Sequence, residues 1–191
     1  MTYRRLQVDA TGTDGFKPSL RMKPNQHTTE LIQNAILRLD ENTDKIKKCL
    51  WELTEEEIWR RPNAASNSVG NLLLHLCGNI RQYAISSLGG KLDVRERDAE
   101  FSARETGNKS ELFAKLSGTV EEAITVLKKL NSEELLRVRS VQGYTFSGIG
   151  IVMHVVEHYS YHTGQIAFWT KLLRDQDLGF YAKVDLNVKN E

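Results

Sequence analysis

The sequence predicts an all-α protein with a four-helix bundle as its core. Only three prolines occur in 191 residues, at positions 18, 24 and 62, and all of them precede or separate the segments with helical periodicity. Four long segments repeat apolar residues every three or four positions, the pattern of amphipathic helices. A composition of 40% hydrophobic and 27% charged residues is ordinary for a single globular domain of this length.

The first 26 residues show no sustained period and contain two glycines and two prolines, so an extended N-terminal segment is predicted there. The bundle domain is then expected to span residues 27–191. Its first long helix should run from about Thr28 to Leu53. Thr54, followed by three glutamates, is a helix-start signal for one short turn, which Pro62 ends.

The second long helix is predicted to begin after an N-cap at Ser68 and to stop at the Gly89–Gly90 pair. One face of this helix is a row of polar residues, and on pattern alone such a row favours a solvent-exposed surface. An inward-facing site is the alternative. The row consists of Ser68, Asn71, His75, Asn79, Gln82 and Ser86.

Residues 91–109 form a charged connection that is longer than most, and long connections often act as lids over functional sites. A solvated loop is the alternative. A third helix is predicted from Ser110 to about Leu130, and the stretch from Val138 to Phe146, with a turn at Gly143, then leads to the last helix. That last helix should run from Ser147 to about Arg174.

The last helix carries three histidines, His154, His158 and His162, at intervals of four residues. Residues four apart share a helix face and lie about 6 Å apart, so two neighbouring imidazoles can bind one metal ion. The outer two lie about 12 Å apart, whereas zinc–nitrogen bonds measure about 2.0–2.1 Å, so all three cannot share one ion.

Angular position favours the pair His158 and His162, because both fall inside the apolar stripe of the helix. His154 lies at the edge of the stripe and is expected to be exposed. Two histidines in a core-facing stripe need hydrogen bonds or a metal ion. A pair of core histidines satisfied by hydrogen bonds is the alternative to a metal site.

Charge and composition also bear on the partners. A net charge of +1 lacks the basic excess expected of a nucleic-acid-binding protein. The start lacks the apolar region of a signal peptide, and no apolar run approaches the ~20 residues that span a bilayer. We therefore expect a cytoplasmic protein with neither nucleic acid nor membrane as a partner. Cys49 and Cys77 have no metal-binding or redox spacing, and Cys77 is expected to be a small core residue.

Two segments are similar to those of a known superfamily. The sequence SVGNLLLHL at residues 68–76, followed by HVVEHYSYHTGQI at residues 154–166, closely resembles the DinB-like, YfiT-like proteins. The resemblance extends from the first helix to about Leu173 and excludes the N-terminal segment. The family commonly has His-His-Arg-Gly-Gln where this chain has YHTGQ at 161–165, so His162 is kept while the preceding His and the following Arg are absent.

The resemblance implies a four-helix bundle that binds a divalent metal through His75, His158 and His162. It also implies that the polar row around His75 faces the inside of the bundle, whereas the pattern alone favours a solvent-exposed surface. Three neutral imidazoles leave an open position on the ion, as in catalytic zinc sites. The ion is expected to be zinc or nickel, with manganese or iron as alternatives.

Two reaction types on a small molecule are implied by the resemblance. One is hydrolysis, as proposed for YfiT-like members, and the other is thiol transfer, as in the bacillithiol S-transferases, which would use a low-molecular-weight thiol. The competing hypothesis is a non-catalytic, metal-binding or stress-associated interaction protein. A homodimer is expected in either case, because family members often pair through helix faces.

Five further residues are candidates for supporting or catalytic roles. Asn79 and Gln82 lie near the side of the helix that carries His75. Glu157 adjoins a predicted ligand but is turned about 100° from it, which favours another helix or solvent. Arg97 and Glu100, in the long connection, would reach the open coordination position as part of a lid.

Overall fold

A computed structural model describes residues 24–190 of the protein. Four long elements alternate with short ones along the chain. In order, the elements are α1 (Pro24–Glu52), α2 (Glu55–Trp59), α3 (Val69–Ile80), which continues as the π-helix π1 (Arg81–Leu88), α4 (Arg97–Ser102), α5 (Lys109–Leu127), α6 (Ser132–Leu136), β1 (Val138–Val141), β2 (Tyr144–Ser147) and α7 (Gly148–Arg174).

The four long elements confirm the predicted four-helix bundle. Helix α1 packs against α7 and α5, and α3 also packs against α5 and α7, so each long helix has two long neighbours. The core consists mainly of leucine, isoleucine and valine side chains that are almost fully buried: Leu39, Ile46, Leu50, Leu73, Leu76, Leu116, Val120, Ile151 and Ile166. Cys49 and Cys77 are free and buried, so the core position predicted for Cys77 is confirmed.

Local capping signals define several helix starts. The side chains of Thr54, Ser68 and Asn108 each accept a hydrogen bond from the backbone N–H three residues later. The side chain of that third residue in turn accepts a hydrogen bond from the backbone N–H of the cap residue. The predicted cap at Ser68 is thus confirmed. Helix α5 begins at Lys109, one residue before the predicted Ser110, because Asn108 supplies the cap.

Helix α1 begins at Pro24, earlier than the predicted start at Thr28. Proline is tolerated in the first turn of a helix, where its missing N–H would have no partner. Residues 1–23 of the predicted N-terminal segment lie outside the described residues. Among the described helices, none combines the length and apolar character needed to span a bilayer.

The second long helix differs from the prediction, because its last two turns are π-helical rather than α-helical. The backbone N–H of Gly89, at the end of π1, bonds the carbonyl of Ala84 five residues earlier. Within π1 the ring of Tyr83 is buried, and its hydroxyl donates to Gln142 Oε1 at 2.9 Å. These partners are distant in sequence, so helical periodicity could not reveal the change.

The stretch from Val138 to Phe146, predicted only as a connection, contains an antiparallel hairpin of β1 and β2. The predicted turn at Gly143 is confirmed: Gln142 and Gly143 both have positive φ, 52° and 80°. Two consecutive residues with positive φ are typical of the tight turns that match the twist of paired strands. The strands were missed because each has only four residues, too few for a clear alternating pattern.

Candidate metal centre

Helices α3 and α7 bring His75, His158 and His162 together. The possible ligand atoms of the three imidazoles all lie within 4.8 Å of one another, and Nε2 of His75 is 2.9 Å from Nε2 of His158. Tetrahedral zinc with bonds of about 2.0–2.1 Å sets its ligand nitrogens about 3.4 Å apart. The His75 and His158 nitrogens are at hydrogen-bond distance, somewhat closer than this, and the three donors together are near enough to hold a single divalent ion.

Burial keeps His158 and His162 in the neutral form that binds metal. His75 and His162 are only 6% and 8% exposed, and His158 is half-buried. Burial, and then the neighbouring histidines, lowers the pKa of His158 to about 3. Burial likewise lowers the pKa of His162 to about 4. Both rings are neutral at physiological pH, as metal ligation requires.

Hydrogen bonds orient two of the three rings. Nδ1 of His75 lies 2.9 Å from Glu100 Oε2, and Nδ1 of His162 lies 2.6 Å from Gln165 Oε1. A carboxylate or amide oxygen accepts, so each Nδ1 carries the proton and donates it. Nε2 of both rings is left with its lone pair for an ion, the arrangement typical of metal-binding histidines.

Arg95 holds Glu100 in its ionised form. Its Nε and Nη2 donate to the two carboxylate oxygens at 2.8 and 2.9 Å, and its side chain is only 2% exposed. Burial raises the pKa of Glu100, but hydrogen bonds from Arg95 and His75 outweigh this and leave the pKa below its ordinary value of 4.5. Gln82 completes the network, because its Oε1 accepts from Arg95 Nη1 at 2.9 Å.

Gly78 makes room for this network on helix α3. A Cβ atom at this position would lie 1.8 Å from Glu100 Oε1 and 3.0 Å from Arg95 Nε. Any other residue at position 78 would therefore push the carboxylate away from His75. The signal in the sequence is a glycine inside a helical pattern, which often marks a close approach.

The connection that carries Glu100 is tied to the bundle at a second point. Asn71 Nδ2 donates to the backbone carbonyls of Glu100 and Ala103, each at 3.0 Å. Arg61 Nη2 donates to the carbonyl of Phe101 at 2.7 Å. This part of the connection, with the short helix α4, is thus folded onto α3 rather than being a solvated loop.

His154 does not belong to the group of three, and its predicted exposure is wrong. The residue is half-buried, its Nε2 lies 3.2 Å from Asn79 Nδ2, and its ring stacks on Tyr83 with centroids 4.0 Å apart. The sequence placed His154 at the edge of the apolar stripe. Tyr83 from π1 and Phe146 from β2 cover that edge, which only the packing of distant elements could show.

The remaining candidates take different positions. Asn79 is buried against His154, and Glu157 is exposed, the orientation that its angle to His158 favoured. Glu100 does not approach an open coordination position, because it bonds the far side of His75. Arg97 is exposed, and its guanidinium lies 4.8 Å from the Phe101 ring centroid.

The polar row of the second helix faces inward. Four of its members, Ser68, Asn71, His75 and Asn79, are buried, so the solvent-exposed surface predicted from the pattern alone is wrong. Hydrogen bonds from the connection and from α7 replace the water that a polar row would otherwise need. Arg95 and Gly78, which complete this inward face, were not singled out from the sequence.

A cavity of about 660 Å³ borders all three histidines. Its other walls come from the end of the segment after α2 and from α3, α4 and α7, and they include Val69, Leu72, Phe101, Phe168, Trp169 and Leu172. A small molecule in this cavity would have direct access to the free ring nitrogens. The site is therefore open on one side and held by hydrogen bonds on the other.

The bundle has the same fold as several DinB-like proteins of known structure. The fold is similar to that of YfiT from Bacillus subtilis, described as a probable metal-dependent hydrolase with an unusual four-helix bundle topology; the TM-score is 0.62 at 16% identity, over 83% of this chain and 94% of YfiT. It is also similar to the DinB-like protein YjoA from Bacillus subtilis, with a TM-score of 0.59 at 18% identity, over 80% and 96% of the two chains.

A DinB-like protein from Bacillus cereus ATCC 10987 gives a TM-score of 0.60 at 15% identity, over 74% of this chain and 92% of that one. Identities this low show the shared fold. No curated protein sequence matches the chain significantly. The chain belongs to the DinB-like family described as Protein of unknown function (DUF1572), whose profile matches residues 26–182.

Proposed function

We propose that His75, His158 and His162 hold a divalent transition-metal ion and that the protein is a metal-dependent enzyme acting on a small molecule. The observation that carries this proposal is the convergence of three imidazoles whose possible ligand atoms lie within 4.8 Å of one another. Zinc or nickel suits a set of imidazole ligands best, with iron or manganese as alternatives.

The site supports catalysis rather than a purely structural role. A divalent ion on three imidazoles keeps an open position and lowers the pKa of a water or thiol that binds there. The chain's own residues fix the geometry: Glu100 and Gln165 hold two of the rings, and apolar side chains form much of the cavity wall. A cavity bordering the histidines gives a substrate access to that position.

Hydrolysis and thiol transfer are the two candidate reactions. The description of YfiT as a probable metal-dependent hydrolase supports hydrolysis. The cavity is also compatible with thiol transfer: no carboxylate among the described residues lines it to serve as a general base, and this reaction does not require one. A thiol already deprotonated at a divalent ion needs no such base.

Metal content tests the first part of the proposal. Elemental mass spectrometry on protein purified without an affinity tag should find close to one transition-metal ion per chain in the wild type. His75→Ala and His158→Ala should lose it, whereas His27→Ala, an exposed histidine on α1, should retain it. A wild type that stays metal-free after incubation with zinc, nickel and manganese would refute the site.

Activity assays on the metal-loaded protein test the second part. Ester and amide substrates without a thiol report hydrolysis, and electrophilic substrates with a low-molecular-weight thiol report transfer; His162→Ala should abolish whichever activity is found. A protein that binds metal stoichiometrically yet shows neither activity would favour the non-catalytic alternative. The expected homodimer and cytoplasmic location stay predictions.

A further inference from the structure

The wall of the cavity is suited to an apolar ligand. Its aromatic and aliphatic members come from α3, α4 and α7, and two of them, Phe168 and Leu172, are 69% and 62% exposed. Large apolar side chains that stay open to solvent and converge on one concave site are typical of ligand-binding surfaces. A volume of about 660 Å³ suits a small organic molecule.

The charge on the side chains that line this cavity is positive. Arg97 lines it, whereas no carboxylate among the described residues does. Glu100 lies behind His75, where Arg95 already pairs with it. In the part of the chain that the structure describes, Arg97 has no carboxylate within ion-pair distance. Its positive charge is therefore available to a ligand.

Arg97 is also connected to the histidines through the ring of Phe101. Its guanidinium lies 4.8 Å from the centroid of the Phe101 ring, and the Phe101 ring lies 4.7 Å from that of His75. Phe101 thus contacts both Arg97 and His75, although the Phe101 and His75 ring planes are tilted by 37°. A ligand that pairs with Arg97 and lies along the Phe101 side of the cavity would reach the free ring nitrogens with its other end.

We propose that the substrate is a small organic anion with an apolar or aromatic body. Its acidic group pairs with Arg97, its body packs against Phe101 and the other apolar walls, and its reacting end lies at the three histidines. Only the position of the reacting end rests on the proposed function. A guanidinium forms strong, charge-assisted hydrogen bonds with carboxylate and phosphate oxygens, so either oxyanion satisfies this chemistry.

Calorimetric titration of the metal-free protein with octanoate, octanol and octylammonium tests the inference, because the three share a chain and differ in charge. We expect octanoate to bind about three- to tenfold more tightly than octanol, and octylammonium to bind most weakly. Octyl phosphate in place of octanoate separates a preference for phosphate from one for carboxylate. Equal affinities of octanoate and octanol would overturn the inference.

Substitutions at Arg97 assign the preference to this side chain. Arg97→Gln should remove the advantage of octanoate over octanol, and Arg97→Lys should keep most of it. Arg60→Gln, an exposed arginine outside the cavity, is the matched control and should behave as wild type. An octanoate preference that survives Arg97→Gln would mean that another group recognises the anion.

A bulky substitution at the cavity mouth locates the binding site without disturbing the core. Ala65 is exposed and lines the cavity, whereas its neighbour Ala64 is exposed and does not line it. Ala65→Trp should weaken octanoate binding at least about tenfold, since an indole fills much of the space; Ala64→Trp should leave it unchanged. Unaltered binding in Ala65→Trp would place the ligand elsewhere and refute the inference.

Metal loading, measured on the same samples, keeps this inference separate from the proposed function. Anion preference in the metal-free protein without any metal binding would support the substrate class and refute the metal site. Stoichiometric metal binding without a preference for anions would support the metal site and refute the substrate class.

Discussion

The interface between α1 and α5 and the interface between α3 and α7 lie on different sides of one bundle and have opposite chemistry. Helices α1 and α5, which form the first, bury apolar side chains such as Leu39, Ile46 and Leu116, and none of their charged side chains that the structure describes is buried. The second encloses His75 and His162, with Glu100 buried behind them. One interface is stabilised by area removed from water, and the other depends on hydrogen bonds.

This difference shows how a bundle accommodates a polar site. The α3–α7 interface needs partners that the two helices do not supply alone, and the connection between π1 and α5 provides Arg95 and Glu100. An apolar interface needs only complementary shapes. Substitutions in the first interface should therefore change stability and leave metal binding intact, and substitutions in the second should change metal binding most.

The largest effect on stability is expected from Leu39→Ala on α1. Leu39 is fully buried, and the substitution leaves a cavity that costs about 2–5 kcal/mol of unfolding free energy. Urea unfolding monitored by circular dichroism measures the loss, and metal content per folded chain should stay at the wild-type value. Loss of metal at a temperature where the variant remains folded would show that the two interfaces are coupled.

A somewhat smaller effect is expected from Gly78→Ala on α3, where the connection that carries Glu100 packs behind His75. The added Cβ meets Glu100 Oε1, so the carboxylate must move away, at a cost of about 1–3 kcal/mol from overpacking. Zinc affinity, measured by competition with a chelating dye, should fall as well. Gly118→Ala on α5 is the matched control: a Cβ there meets nothing within 4 Å, and the variant should gain about 0.5–1 kcal/mol.

Glu100→Gln tests the carboxylate itself with little change in shape. Removing its charge weakens the orientation and basicity of His75, and partners of metal ligands typically contribute about 10- to 100-fold in affinity. The same dye competition should show a loss of that size. Glu157→Gln, an exposed carboxylate beside His158, should bind zinc like the wild type. Equal affinities in Glu100→Gln and Glu157→Gln would contradict a role for Glu100 in positioning His75.

The smallest effect is expected at the ion pair between Glu57 and Arg174, which joins α2 to the end of α7. The backbone hydrogen bond from Thr54 is the largest effect on the pKa of Glu57; burial raises this pKa, but the Thr54 bond and the smaller contribution of the Arg174 hydrogen bond together leave it below its ordinary value of 4.5. A lowered folded-state pKa contributes stability above the unfolded pKa, which is lost as the pH falls through the folded value.

Glu57→Gln should therefore cost about 1 kcal/mol of unfolding free energy near pH 7. The difference from wild type should shrink as the pH falls below about 4.5. Urea unfolding at several pH values measures it. A difference that is constant with pH would show that the carboxylate charge contributes nothing.

Much of the bundle was predictable because its signals are local. Apolar periodicity gave the four long helices, and Ser68 marked a helix start through its own hydrogen bond. The hairpin and π1 were missed, since four-residue strands carry too short a pattern and π1 makes contacts with residues far along the chain. At the site, the spacing of His158 and His162 on one helix face was visible in the sequence. His75, by contrast, was predicted to be a metal ligand only from the family resemblance.

The sequence by itself determined the class of fold and the helix faces, because both depend on the order of apolar and polar residues along a helix. Only the tertiary structure decided which polar residues meet. It turned the row around His75 inward, covered His154 with Tyr83, and placed Glu100 and Arg95 behind His75 in a space left by Gly78. Such contacts depend on how distant segments pack, because a buried polar side chain needs a hydrogen-bond partner and, at His75, another segment supplies it.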